Sequence, residues 1–497
     1  MGYTFKQPSV RLRLLLAALL VLWGAAGGLP STAAAAQPLA FDLDAGFTLG
    51  SYLDRRALDA RSGTQTISHG MMGKHDRDAT VASYDTQSLL ARAWLQPSLT
   101  ILGQASVVAT LDTGEQALSW LQWNQTQASA VDADWTIDGL DPDEALTNLM
   151  FLRELWLEWA GGQNDWLLLQ VGKKRSQILD GLFYDDFGFQ ALADAELWRS
   201  QGRSLRLVAS ALVPYHYAPQ FSSDLLVLDA QVVYSPFPFE SLRLGFTCTR
   251  DRSNLLMSMT KQVLVDDLLA DAATVAAAAL EATPLVADLD LYQAYASADL
   301  SLGPVVVGGL AAYQWGEGHF SSAAPASSRS ADWAGQLGLL TLDTDLPRTR
   351  LGLFWLLVSG LDQGQAKDFK FTRFMSLVPN ADLLSIFFSG GLSPTLARRD
   401  FGLLGHASAG ASVLGLRGLV GWRRDLVTTH SLAMLGPNRP EDPLVSDSLG
   451  WEQDNSVDWT FHEGLSLGAE LDFFVPGSFF GRAATQARAV LNLEGTL

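Results

Sequence analysis

In Phe41-Asp42-Leu43-Asp44-Ala45-Gly46-Phe47-Thr48-Leu49-Gly50, every odd position is apolar and every even one is Asp, Gly or Thr. Successive side chains of an extended chain point to opposite faces, so a period of two makes a strand with one apolar and one polar face. The same alternation recurs over 99–111, 205–213, 226–234, 242–248 and 465–473. In 205–213, for example, Leu205, Leu207, Ala209, Ala211 and Val213 oppose Arg206 and Ser210. These segments have the length of about 10 residues that a tilted strand needs to cross a bilayer.

Composition narrows the class. The chain has 497 residues, 48% apolar and 18% charged, with a formal charge of −19. That is too apolar for a disordered chain. With 34 Lys and Arg against 53 Asp and Glu, it is also too acidic for a nucleic-acid partner, whose phosphates need clustered bases. One cysteine, Cys248, excludes an intramolecular disulfide and a cysteine zinc cluster. Lys6, Arg11 and Arg13, an apolar run over 14–29 and Ala33 to Ala36 read as a secretory signal peptide spanning 1–36. The run is shorter than the roughly 20 residues of a spanning helix. Removing three bases and no acid takes the exported chain, 37–497, to −22.

Connector lengths then separate a membrane barrel from a soluble sandwich. Short turn signals at Pro97-Ser98, 161–164, 200–202, 235–238 and Gly303-Pro304 alternate with long segments at 51–87, 112–151, 176–190, 251–289 and 317–331. Outer-membrane barrels pair short periplasmic turns with long outer loops. The pattern predicts one all-β domain, a transmembrane antiparallel β-barrel of 18 strands in a Gram-negative outer membrane. The count includes strands at 366–375 and 398–408; dropping a pair between 360 and 425 gives 16. Parity makes 112–151 an outer loop and 423–459 a long periplasmic turn, and 254–283 reads as a helix in an outer loop. The expected partners are membrane lipid and lipopolysaccharide, and the expected state is a monomer.

Three segments carry a resemblance: Leu152-Arg153-Glu154-Leu155-Trp156-Leu157-Glu158-Trp159, then Leu169-Gln170-Val171-Gly172-Lys173-Lys174-Arg175, then Asp180-Gly181-Leu182-Phe183-Tyr184-Asp185-Asp186. Over these 152–186 the chain resembles the alginate-export family of outer-membrane porins. The matching positions are Gly172, Lys173, Arg175, Tyr184, Asp185 and Asp186. The resemblance implies an 18-stranded monomer that passes an anionic polysaccharide through a basic lumen partly closed by loops.

The inferred lumen departs from that pattern. Taking the polar face of each strand as inward gives the bases Arg92, Lys174, Arg206, Arg243, Arg417 and Arg488. The inward acids are Asp42, Asp44, Glu154, Glu158, Asp194, Glu196, Asp229, Asp299, Glu470 and Asp472, so acids outnumber bases. Rings of charge set selectivity in pores, so this lumen also fits a general or cation-preferring diffusion porin. The third reading is a secreted soluble β-protein that binds or degrades carbohydrate. Phe41, Phe47, Trp159, Tyr234, Trp355, Trp422 and Phe473 fall on the apolar, lipid-facing side.

Enzyme and cofactor signals are few. Gly464-Leu465-Ser466-Leu467-Gly468 matches a nucleophile motif but lies inside a strand pattern, not at a strand-to-helix elbow. No catalytic residue and no cofactor are expected. The acidic loop 132–144, with Asp132, Asp134, Asp138, Asp141 and Asp143, is the single candidate for calcium, although its spacing departs from the EF-hand loop.

Overall fold

The computed structural model describes residues 39–58, 83–101, 103–112, 116–117, 151–161, 166–214, 225–237, 240–252, 286–321, 329–360, 370–372, 374–376, 384, 410–436, 438, 448, 450–477 and 485–496. The expected signal peptide at 1–36, the acidic loop 132–144, the helix at 254–283 and the strand at 398–408 lie outside these residues.

Eighteen long strands form the wall. The first six are β1 (Leu39–Leu58), β2 (Ser83–Ile101), β3 (Ala105–Asp112), β4 (Phe151–Gly161), β5 (Leu167–Ile178) and β6 (Tyr184–Ser200). Next come β7 (Arg203–Pro214), β8 (Leu225–Ser235), β9 (Ser241–Asp251), β10 (Val286–Leu302), β11 (Val305–Ser321) and β12 (Arg329–Leu346). The last are β13 (Thr349–Val358), β14 (Ala411–Arg423), β15 (Leu426–Gly436), β16 (Gly450–His462), β17 (Leu465–Pro476) and β18 (Gln486–Thr496). Each pairs antiparallel with the next, and β18 returns to β1 with Thr48 opposite Glu494 and Gly50 opposite Asn492. The sheet is therefore closed and has no free edge.

All connections at one end are short: 102–104, 162–166, 201–202, 236–240, 303–304, 347–348, 424–425 and 463–464. At 201–202 both residues have positive φ, Gln201 at 51° and Gly202 at 79°. That is the primed turn whose twist matches a two-residue hairpin. The longer connections gather at the opposite end, which is the outer end by the usual barrel asymmetry.

Alternation settles the two faces. Outward side chains include Phe41 and Leu244, both 66% exposed, and Met434, 70% exposed. On β10 the outward face is apolar from Leu302 to Tyr292 and then turns charged at Asp290, which pairs with Arg250 at 3.1 Å and Arg252 at 2.8 Å. Eleven residues of strand span ~35 Å, or ~25 Å along the axis at a tilt of ~40°, the height of a membrane band. Aromatic side chains mark its borders. Tyr292, Phe246, Trp315 and Tyr313 cluster below the charged rim, with centroids 5.8–6.2 Å apart. Trp198, Phe237, Trp422, Trp459 and Phe461 stand exposed near the short turns. All seven aromatic residues expected on the apolar side, Phe41, Phe47, Trp159, Tyr234, Trp355, Trp422 and Phe473, belong to strands whose register places them outward or at the lower rim.

Eighteen strands are found, but one hairpin differs from the expected one. The segment 423–459 is not a long turn: residues 424–425 make a two-residue connection, and β15 and β16 occupy most of the remainder. Val427, Thr429, Ser431, Ala433 and Leu435 alternate with His430, Leu432 and Met434, a weak pattern because small polar residues sit on both faces. Conversely, the described part of 366–375 is not in the wall: among the described residues there, Lys370–Phe371 is the extended piece, and it pairs parallel with Asp332 and Trp333 of β12. Pro97-Ser98 is not a turn either. Both residues lie within β2, where the ladder to β3 breaks between Leu95 and Ser98 and so tolerates a residue without an N–H. The ends of the first outer connection also move inward from 51–87, since β1 runs to Leu58 and β2 starts at Ser83, and the connections expected at 176–190 and 317–331 shrink to 179–183 and 322–328 because the flanking strands extend into them.

Candidate functional site

The inward faces enclose two different surfaces. From β7 to β15 the outer half of the interior is apolar: Leu212, Val227, Leu289, Leu291, Leu356, Phe354 and Val413 are fully buried in one continuous cluster. Two chain segments fold into the barrel to cover them. The first, 178–184 between β5 and β6, contributes Ile178, Leu179, Leu182, Phe183 and Tyr184. The second follows β13 and contributes Phe371, Phe374, Met375 and Leu384. Its backbone at Met375 is held by Gln314 of β11, whose Nε2 donates to the Met375 carbonyl at 3.0 Å and whose Oε1 accepts from the Met375 N–H at 2.8 Å. Trp333 packs on Phe371 with centroids 4.7 Å apart. Burial of this kind contributes about 2 kcal/mol per large side chain, so the segments are firmly seated.

The sequence-predicted lumen residues take inward positions, and the structure pairs most of the bases with acids. Arg206 forms a two-point contact with Asp194, its Nε donating to Oδ1 at 3.0 Å. Arg417 makes two hydrogen bonds to Asp343, of 3.1 and 2.7 Å, and Arg350 adds a third at 3.2 Å. Arg488 lies 3.5 Å from Glu470 and opposite Asp472. Arg243 donates to Asp180 at 2.7 Å and has Asp299 at 4.0 Å. Lys174 donates to Gln170, whose amide donates to Glu158 at 2.5 Å. Glu154 accepts from Thr110 Oγ1 at 3.0 Å, and Glu196 pairs with Arg199 at 2.6 Å. Arg92 takes the register position opposite Thr48. Asp229 is buried and accepts from Thr247 at 2.7 Å and from the Tyr295 hydroxyl at 2.9 Å.

Near the short turns, the inward face of β16, β17, β18 and β1 shows Asp458, Ser466, Gly468, Asn492, Glu494, Asp42 and Asp44. Every charged residue in that group is an acid. Asp42, Asp44, Asp458 and Glu494 are exposed.

The family-like segment serves packing and shape more than lumen charge. Gly172 has φ of 145°, and a Cβ there would stand 2.2 Å from the Leu155 carbonyl oxygen, so the position requires glycine. Lys173 falls on the outward register opposite Leu155 and Phe189. Arg175 is not a lumen base: it grips Asp185 at 2.7 and 2.8 Å near the outer end, where Gln177 also donates to Asp185 at 3.2 Å. The Tyr184 hydroxyl donates to the Phe187 carbonyl at 2.6 Å, and Asp186 stands opposite Ser176. Ser466 of the nucleophile-like motif lies in β17, opposite Thr460 and Glu494 and within extended chain. Asp180, Asp343 and Gln314 escaped the sequence reading. Asp180 sits in a turn, Asp343 is one of several alternating polar residues of β12, and Gln314 interrupts an apolar run; their partners are 63, 74 and 61 positions away.

A closed antiparallel barrel with an apolar outer band satisfies all backbone polar groups in lipid and is the transmembrane architecture of the Gram-negative outer membrane. The chain is an outer-membrane β-barrel. No family model and no curated protein matches it. Similar solved structures from Pseudomonas aeruginosa include the outer membrane protein OprD, at 10% identity and a TM-score of 0.47, covering 93% of this chain and 95% of that one. OccK11 (OpdR) is similar at 11% identity and 0.47, covering 92% and 96%. OpdL gives 11% and 0.47, covering 92% and 99%.

Proposed function

We propose that this barrel is an outer-membrane diffusion pore that prefers cations and is narrowed from its outer side by the segments 178–184 and 370–376. The observation that carries the reading is the arc of the inner mouth from β16 to β1, where the exposed inward charges Asp42, Asp44, Asp458 and Glu494 are all negative. Rings of carboxylates raise the local concentration of cations and repel anions. Export of an anionic polysaccharide, the reading the 152–186 resemblance favours, calls for a run of bases free to meet the passing carboxylates. Arg206, Arg243, Arg417 and Arg488 are instead each held by an acid of the wall or of an inward segment. The same placement supports a channel over a catalyst. Reversal potentials of the purified protein in a planar bilayer under a salt gradient test the proposal: a cation-to-anion permeability ratio above one is expected, and a clear anion preference would return the balance to polysaccharide export.

A further inference from the structure

The inward turn 178–184 does more than fill space. Leu179, Asp180 and Gly181 have φ of 55°, 51° and 86°, three left-handed residues in succession, of which two are not glycine. Left-handed conformations cost L residues roughly 1–2 kcal/mol each and persist only where surroundings enforce them. Here Leu179, Leu182 and Phe183 are buried in the apolar cluster, and the turn is closed by Leu182 N–H to the Leu179 carbonyl at 2.9 Å and Phe183 N–H to the Ile178 carbonyl at 3.3 Å. The product of that arrangement is one side chain aimed away from the cluster. Asp180 is 56% exposed, reaches across to Arg243 on β9, and together with Asp299 of β10 surrounds that guanidinium. Arg243 itself is 32% exposed and Asp299 48%, so the three charges border water inside the barrel. Two acids on one base leave this point of the lumen at a net charge of −1.

We infer that Asp180 is a specificity-determining residue of the pore: it masks Arg243 and makes this point of the lumen admit small cationic solutes ahead of anions. This rests on the pore reading above. The site is electrically poised, because loss of one acid neutralises it and loss of both leaves Arg243 alone with the opposite sign. Asp180→Asn is close in shape and Asn tolerates the left-handed region, so the turn is retained. Its cation-to-anion permeability ratio in planar bilayers is expected to fall about fivefold, the size of a unit charge acting over a few ångströms of water. Asp180→Asn with Asp299→Asn should prefer anions, and Arg243→Gln should raise the ratio above wild type. Asp299→Asn leaves the turn untouched and should shift the ratio in the same direction as Asp180→Asn, so the test survives a folding defect in the latter. Conducting variants whose ratios equal the wild type overturn the role of Asp180 and leave the pore intact. Absence of conductance from both the wild type and Gln314→Leu, which frees the second inward segment, overturns the pore and this inference together.

Discussion

Asp343 binds two arginines from neighbouring strands while only 4% of its side chain is exposed. Replacing it with Ala strands Arg350 and Arg417 without a counter-charge. Both guanidinium groups keep access to water, at 50% and 35% exposure, so the loss is that of charge-assisted hydrogen bonds, about 1.5–3 kcal/mol, and Asp343→Ala should lower the thermal unfolding midpoint of the detergent-solubilised barrel, read by circular dichroism. Arg350→Ala should cost far less, because Arg417 keeps both of its bonds to Asp343. Gly172→Ala makes a second residue-scale case. The added methyl meets the backbone of Leu155 and Trp156, which cannot move without breaking the β4–β5 ladder. A loss of about 1–3 kcal/mol is expected from the forced conformation, measured by the same melt. Neither environment was legible in the chain. Asp343 looks like any polar residue of an alternating strand, and only the register that sets it opposite Gly352, beside Arg417, reveals its load.

Among the elements, wall strands and inward segments respond differently to mutation. Gln314 fixes Met375 through two backbone hydrogen bonds inside the barrel. Gln314→Leu removes both and leaves a buried peptide unit without partners, at a cost of about 1–3 kcal/mol. The closed seat of 370–376 should loosen while the wall persists. The expected result is a rise in single-channel conductance, with the β-sheet signal in circular dichroism unchanged. An unaltered conductance would mean that this segment does not restrict the pore. The wall strands were legible wherever apolar and polar residues alternate strictly, as in β1, β7 and β9. The pattern is weak in β15, where Thr428, Thr429 and Ser431 blur the two faces, and in β16, where Gln453 and Asn455 stand on the outward register. The segment 366–375 reads as a strand because Phe369 and Phe371 alternate with Asp368, Lys370 and Thr372, a period that inward-folded chain shares with wall strands.

At the scale of the whole molecule, closure between β1 and β18 makes a ring whose outer band faces lipid. Leu244, fully on that band, tests it: Leu244→Arg should destabilise the folded barrel by about 2–4 kcal/mol in lipid, measured by urea titration, whereas an outward position in water would tolerate it. The chain carries a formal charge of −19, and among the described residues the arc of the lumen from β16 to β1 presents acids. By itself the sequence determined that the chain is an exported, all-β, lipid-facing barrel with an acid-rich interior, because alternation, strand length and charge count are local quantities. The tertiary structure alone decided which eighteen segments form the wall, that a continuous apolar cluster lines the interior between β7 and β15, and that Asp180 caps Arg243. Those facts depend on which distant segments meet inside a closed cylinder, and no local period of the chain encodes that meeting.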